Sequence, residues 1–266
     1  MNILDDVWFK DGDPLVAMNY AVFDDDVSAP VVASAVERAL QMGFDVEAEL
    51  KTGNTALFEL CSRAGRAEAI ALLLESGADA LTPQAWGMSP AVQAIYSASF
   101  GEYLGLIGPH LLKDDVACLE FAKSVYDLND ASMREAVVRS GVTDRLSGDQ
   151  WVELMDSLVS ASRWGGVLAV LSEGRVDPSS INVIEVLEGA VESWRDGAYE
   201  LTSFLVREIE ACRKFVLDRH DELLRAAVCD DIRRVISGQR AKLTLDDVFS
   251  GAKALKSGVV SPRSLI

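Results

Sequence analysis

Glycine recurs at a fixed interval in the first third of this chain, and a fixed interval restricts the fold more than any composition does. Gly43-Phe44-Asp45 precedes Gly77-Ala78-Asp79 by 34 residues, and Gly53 precedes Gly87 by the same 34. A period of that length indicates one supersecondary unit copied along the chain, each copy too small to bury its own apolar face. The clearest copy runs over 53–79. Leu57, Leu60 and Cys61 form an apolar stripe at helical spacing, and Gly65 then breaks the chain. Ile70, Leu73 and Leu74 form a second stripe, and Gly77 supplies a left-handed stop. The unit reads as two short helices that need a neighbouring copy for stability.

The spacing continues along the chain. Ser89-Pro90 stands where the next helix starts, and Gly108, Gly141-Val142-Thr143-Asp144 and Gly174-Arg175-Val176-Asp177 follow at intervals of 31, 33 and 33. Trp151 through Arg163-Trp164-Gly165-Gly166 to Glu173 reads as helix, glycine turn and helix. Units are therefore expected at about 14–46, 53–80, 88–111, 115–144, 149–177 and 182–216, with a closing helical segment over about 217–256. The expected fold class is all-α. Repeats are plainest over 1–180, while 181–266 reads as degenerate repeats or a helical cap. A different helical solenoid or a separate helical domain is the alternative for that last portion.

The unit resembles the ankyrin repeat, whose pattern is a turn, a Thr-Pro-Leu-His helix start, a glycine turn and a second helix ending in Leu-Leu-x-x-Gly-Ala-Asp. Gly65 through Asp79 fits that second half without a gap. The first half departs from it. Thr55-Ala56-Leu57-Phe58 lacks the Pro and His, and one extra residue lies in the first helix. In the family that His bonds the Thr hydroxyl and holds neighbouring turns, so the resemblance implies a less regular stack here. It also implies a helical solenoid that grips proteins with its projecting turns and the concave face of its first helices.

The chain carries a net charge of −17, unevenly spread. The first fifty residues hold eleven acidic side chains against Lys10 and Arg38, hence −9. Such a field repels nucleic acid and anionic membranes and steers basic protein surfaces toward this end. The opening Met1-Asn2-Ile3-Leu4-Asp5-Asp6 lacks the basic start and apolar run of a secretory signal. No apolar stretch approaches the roughly 20 residues a membrane span needs. A soluble, cytoplasmic protein, monomeric when free, is the expectation. Cys61, Cys118, Cys212 and Cys229 are isolated, without a Cys-x-x-Cys pair, and read as reduced core thiols.

Catalytic motifs find little footing. His110 and His220 fall on different units, and Asp218-Arg219-His220-Asp221-Glu222 reads as a charged helix face rather than a metal ligand set. Ser250-Gly251-Ala252-Lys253 has Ser-x-x-Lys spacing but no Ser-Asp-Asn partner. Phosphate loops and nucleophile elbows do not occur. No catalytic residue, metal or cofactor is expected.

The expected partner-binding residues lie in the turns. Asp24, Asp25 and Asp26 occupy the turn inside the first unit, Asp45, Glu47 and Glu49 the turn between the first and second, and Trp86 and Met88 the turn between the second and third. Trp86 is expected in solvent as an interface anchor, whereas Trp164, inside the fifth unit, is expected to pack. Trp8 and Phe9 are expected to cap the first unit. Bacterial ankyrin-like proteins of similar size and divergence include toxin-immunity proteins. That likeness and the acidity point to a non-catalytic inhibitor that occludes a basic toxin or enzyme; an adaptor or secreted effector recruiting a cellular protein is the alternative.

Overall fold

A computed structural model of the protein describes residues 12–24, 26–128 and 130–239. Asp25, Trp8, Phe9, the Ser250 to Lys253 motif and the end of the expected closing segment lie outside them. The described residues are all-helical, and their only β-type pairing is an isolated bridge between Glu49 and Thr55. No described helix is long and apolar enough to cross a membrane. The chain divides into two compact units between Gln150 and Trp151. That division falls inside the stretch expected to be repeats.

The first unit holds α1 (Pro14–Phe23), α2 (Ala29–Gln41), α3 (Ala56–Cys61), α4 (Ala67–Glu75), α5 (Pro90–Ala94), α6 (Phe100–Leu111), α7 (Asp115–Asp127) and α8 (Ala131–Arg139). A 3-10 turn, Val142–Arg145, follows. Each odd-numbered helix packs on the even-numbered helix after it. The odd-numbered helices also touch in succession, and so do the even-numbered ones, which makes two layers. The shared core is predominantly apolar: Leu57, Leu60, Ile70, Leu73, Ile95 and Ile107 are among its fully buried side chains.

Local chemistry sets the helix ends. Thr55 caps α3 by accepting from Phe58 N–H, Ser89 caps α5 from Val92 N–H with Pro90 at the first helical position, and Asp114 caps α7 from Val116 N–H at 2.8 Å. At the end of α4, Gly77 takes φ 95°. Ala78 N–H then reaches the Leu73 carbonyl at 3.0 Å and Gly77 N–H the Leu74 carbonyl at 3.1 Å, the paired bonds of a left-handed helix stop. The same pair closes α2 at Gly43 and Phe44.

Gly108, spaced 31 residues after the stop at Gly77, is not itself a helix stop, and the unit expected to run to about 111 ends there. Gly108 is buried inside α6, which runs on through Pro109 to Leu111. Glycine and proline cost a helix roughly 1 and 3 kcal/mol. Burying Tyr103, Leu104, Ile107 and Leu111 on one face outweighs that, and the helix ends only once the face is spent.

The second unit contains α9 (Gly148–Ser160, which starts just before the division), α10 (Trp164–Ser172), α11 (Val183–Val191), α12 (Ala198–Glu208), α13 (Glu210–Asp218) and α14 (His220–Ala226). A further helical stretch covers 230–239. Here α12 packs on both α10 and α11, and α13 on both α11 and α12. Trp164 is 3 % exposed, in keeping with a packing role, and its ring lies where a Cβ on Gly189 would stand 2.9 Å away. The thiols of Cys61, Cys118 and Cys212 are free and buried, and burial raises each, that of Cys212 to about 11. They stay protonated and unreactive near neutrality. Cys229 is the exception to the expected core placement, being half-buried.

The backbone of the second unit approaches itself closely at Gly197, where φ is 83° and a Cβ would meet Gly165 N at 2.4 Å and Gly165 Cα at 2.7 Å. At Gly174, by contrast, φ is 66° but nothing lies within 4 Å. Gly197→Ala should therefore destabilise the chain by about 2–4 kcal/mol, and Gly174→Ala by only about 1 kcal/mol. Urea unfolding of both variants checks the order.

Candidate functional site

The turns that join the layers, residues 42–55 and 76–89, are each fourteen residues long, and polar side chains tie one to the other. Glu47 Oε1 accepts from Asp79 N–H at 2.7 Å. Farther along, Gln84 reaches back to Thr55, its Oε1 accepting from the backbone N–H at 2.8 Å and its Nε2 meeting Oγ1 at 2.7 Å. Gln84 makes both bonds because its amide offers a donor and an acceptor together.

Each turn is also fixed internally. Leu50 N–H donates to Asn54 carbonyl at 2.8 Å, and Glu59 Oε1 accepts from Asn54 Nδ2 at 2.8 Å and Thr52 Oγ1 at 2.7 Å. In the second turn, Asp79 accepts from Thr82 Oγ1 at 2.5 Å and Leu81 N–H at 2.8 Å. Those bonds, the Thr82 hydroxyl first, hold the Asp79 carboxyl below its usual range. Its stabilising contribution is therefore present above the unfolded carboxyl's pKa and is lost as pH falls through the lower folded value. Gln84 N–H donates to Met88 carbonyl at 2.8 Å and Gly87 N–H to Gln84 carbonyl at 3.2 Å, which closes a loop around Trp86.

Trp86 itself is 86 % exposed, at φ 55° and ψ 21°. A bulky side chain in the left-handed region costs roughly 1–2 kcal/mol that glycine would avoid. The pinned turn thus holds an indole in solvent in a conformation the residue does not favour by itself. Met88 lies half-buried beside it on the same turn.

The acidic residues divide by role. Asp24 Oδ1 accepts from Asp26 N–H at 3.2 Å, and Asp45 Oδ1 from Glu47 N–H at 3.1 Å, so both organise their own turns. Glu47 links turns, and the exposed Glu49 sits at the bridge to Thr55. Asp24 and Asp26 also edge a concave pocket of about 700 Å3 with Val16, Tyr20 and Phe23, one face of α1. Lys51, from the first turn, extends over it with Nζ 4.2 Å from the Phe23 ring centre. The structure thus places Trp86 and Met88 on one turn and joins that turn to Glu47, while Asp24 and Asp26 stand by the α1 pocket.

Two features went unread in the sequence. Tyr103 is fully buried with its hydroxyl between Arg66 N–H, which donates to it at 2.8 Å, and the Arg63 carbonyl, to which it donates. Val116, in the first turn of α7, is 66 % exposed although apolar. The signal for the second was present, since only residues 112–114 separate α6 from α7.

Gln84→Ala should cost about 1–2 kcal/mol, because two part-buried hydrogen bonds to Thr55 are lost. Hydrogen exchange should quicken at the Thr55 amide more than at amides of α6; uniform protection would mean the two turns are held by packing alone. Neither a family model nor a curated protein matches this chain.

Proposed function

We propose that this chain is a non-catalytic, ankyrin-like repeat protein that binds a basic protein partner, most simply as an inhibitor or immunity protein that occludes a toxin or enzyme. The observation that carries the reading is Trp86. An indole 86 % exposed, kept in a left-handed conformation by a turn that hydrogen bonds secure on both sides, serves no packing purpose in the chain by itself. Backbone strain retained at an exposed aromatic residue is typical of a site that meets something else.

Three further observations support it. The paired short helices of the first unit, in two layers, support a repeat reading. A net charge of −17, with Asp45 and Glu49 exposed on the first turn and Asp26 beside the α1 pocket, favours capture of a cationic surface. Buried, protonated thiols leave Cys61, Cys118 and Cys212 without the nucleophilic character that cysteine catalysis requires.

The test is capture of the partner from the native host's extract with tagged protein, at low and moderate salt, followed by kinetics with the recovered species. Trp86→Gly should leave stability within about 1 kcal/mol, since glycine suits the backbone there, while weakening the partner at least about tenfold. Replacing Asp24, Asp25 and Asp26 together with Asn should slow association about tenfold at low ionic strength and flatten its salt dependence. Asn preserves the acceptor that Asp24 offers Asp26, so the fold should survive. Recovery of no basic protein, or a partner indifferent to salt and to Trp86, would overturn the reading.

A further inference from the structure

The row of turns stops abruptly, and what it leaves open has a definite chemistry. Turn 42–55 is flanked by turn 76–89, but the next connection, residues 112–114, is too short to project. Among the described residues, no further projecting turn stands beside the far flank of turn 76–89. A slot of about 360 Å3 lies there, walled by Leu81, Pro83 and Met88 on the turn and floored by Leu111 and Phe121. That volume is at the small end of the roughly 300–1,000 Å3 typical of ligand pockets, room for an apolar side chain and the backbone around it.

The other wall is the first turns of α7. Val116 presents an apolar side chain at 66 % exposure, flanked by the exposed carboxylates of Asp114 and Glu120. Among the described lining residues none is cationic. Asp114 also caps α7, accepting from Val116 N–H at 2.8 Å and Ala117 N–H at 3.1 Å. The exposed Glu120 also pairs with the half-buried Lys123 at 2.8 Å, and its carboxylate has acceptor capacity for a second cation. An apolar floor with a one-signed acidic rim selects against anionic and purely polar occupants.

We propose that this slot receives an extended, basic segment of a protein partner, with one large apolar side chain seated between Met88 and Val116 and flanking Arg or Lys side chains meeting Asp114 and Glu120. The segment takes the place that a further projecting turn would fill. This rests on the binding reading above and gives it an address separate from the acidic α1 pocket.

A fluorescein-labelled peptide, Lys-Arg-Gly-Leu-Gly-Arg-Lys, is the probe, titrated by anisotropy into the full chain at low salt. The same peptide with Gly for Leu should bind at least about tenfold more weakly, and so should the Leu peptide to Val116→Arg. Glu120→Gln, a surface change that leaves the fold untouched, should weaken it about threefold. Amide shifts of the labelled protein should cluster in residues 81–92 and 111–124. Equal affinity for Val116→Arg, shifts confined to residues 12–27, or no binding would overturn the slot. Self-association of the wild type that Val116→Arg abolishes would assign the slot to a second copy and overturn it too. The capture experiment fails separately: a chain that retains no basic protein yet seats the peptide loses the partner reading and keeps the slot.

Discussion

Six residues in α3 and five in α5 cannot hold a helix in water, so everything in the first unit depends on neighbours burying one another's faces. Nucleating a turn of helix fixes several dihedral angles for one hydrogen bond, and a helix this short never recovers that cost alone. Ala56, Leu57, Leu60 and Cys61 of α3 are fully buried, which is nearly the whole helix. The core is a continuous sequence of contacts, each layer supplying the wall for the next.

That dependence explains why the polar bonds sit where they do. Stacking by apolar burial has little preference for register, because one methyl-lined surface slides over another at small cost. Directional bonds between successive copies remove the freedom: Ser99 Oγ receives Gly65 N–H, Tyr103 bridges Arg63 and Arg66, and Gln84 holds Thr55. In the second unit Arg195 Nη1 meets the Ala161 carbonyl at 3.0 Å across the same 34 residues that separate Gly65 from Ser99. Burial supplies the free energy, and the hydrogen bonds select one alignment.

The same division separates function from fold. Side chains that bond across the stack have less capacity left for a partner; Glu47, expected as an interface residue, commits Oε1 to Asp79 N–H, although a carboxylate offers further acceptor sites. Trp86 is free of such duty because the turn holding it is closed by backbone bonds and by Gln84. Where the row of turns ends after residue 89, the described residues leave an apolar and acidic surface. A preformed, charged surface of that kind speeds capture of an oppositely charged partner and lowers the ordering cost of binding.

Much of the architecture was legible in the residues themselves. Glycines at 43 and 77 mark helix ends because a left-handed stop has few other residues to use, and the apolar stripes at 57–61 and 70–74 mark helices because burial follows a 3.6-residue period. The acid excess needs only a count of charges. Other features belonged to tertiary structure. Gly108 has the look of a stop, yet a buried face carried the helix past it, because packing outweighs propensity when the surrounding contacts exist. No spacing reveals that Gln84 would find Thr55 twenty-nine residues back, since a hydrogen bond depends on which surfaces the stack brings within 3 Å. Exposure of Val116 was decided in the same way, by the absence of a neighbouring turn to cover it. Sequence determines the local rules, where chains turn and which faces are apolar; only the assembled stack determines which side chains have a neighbour.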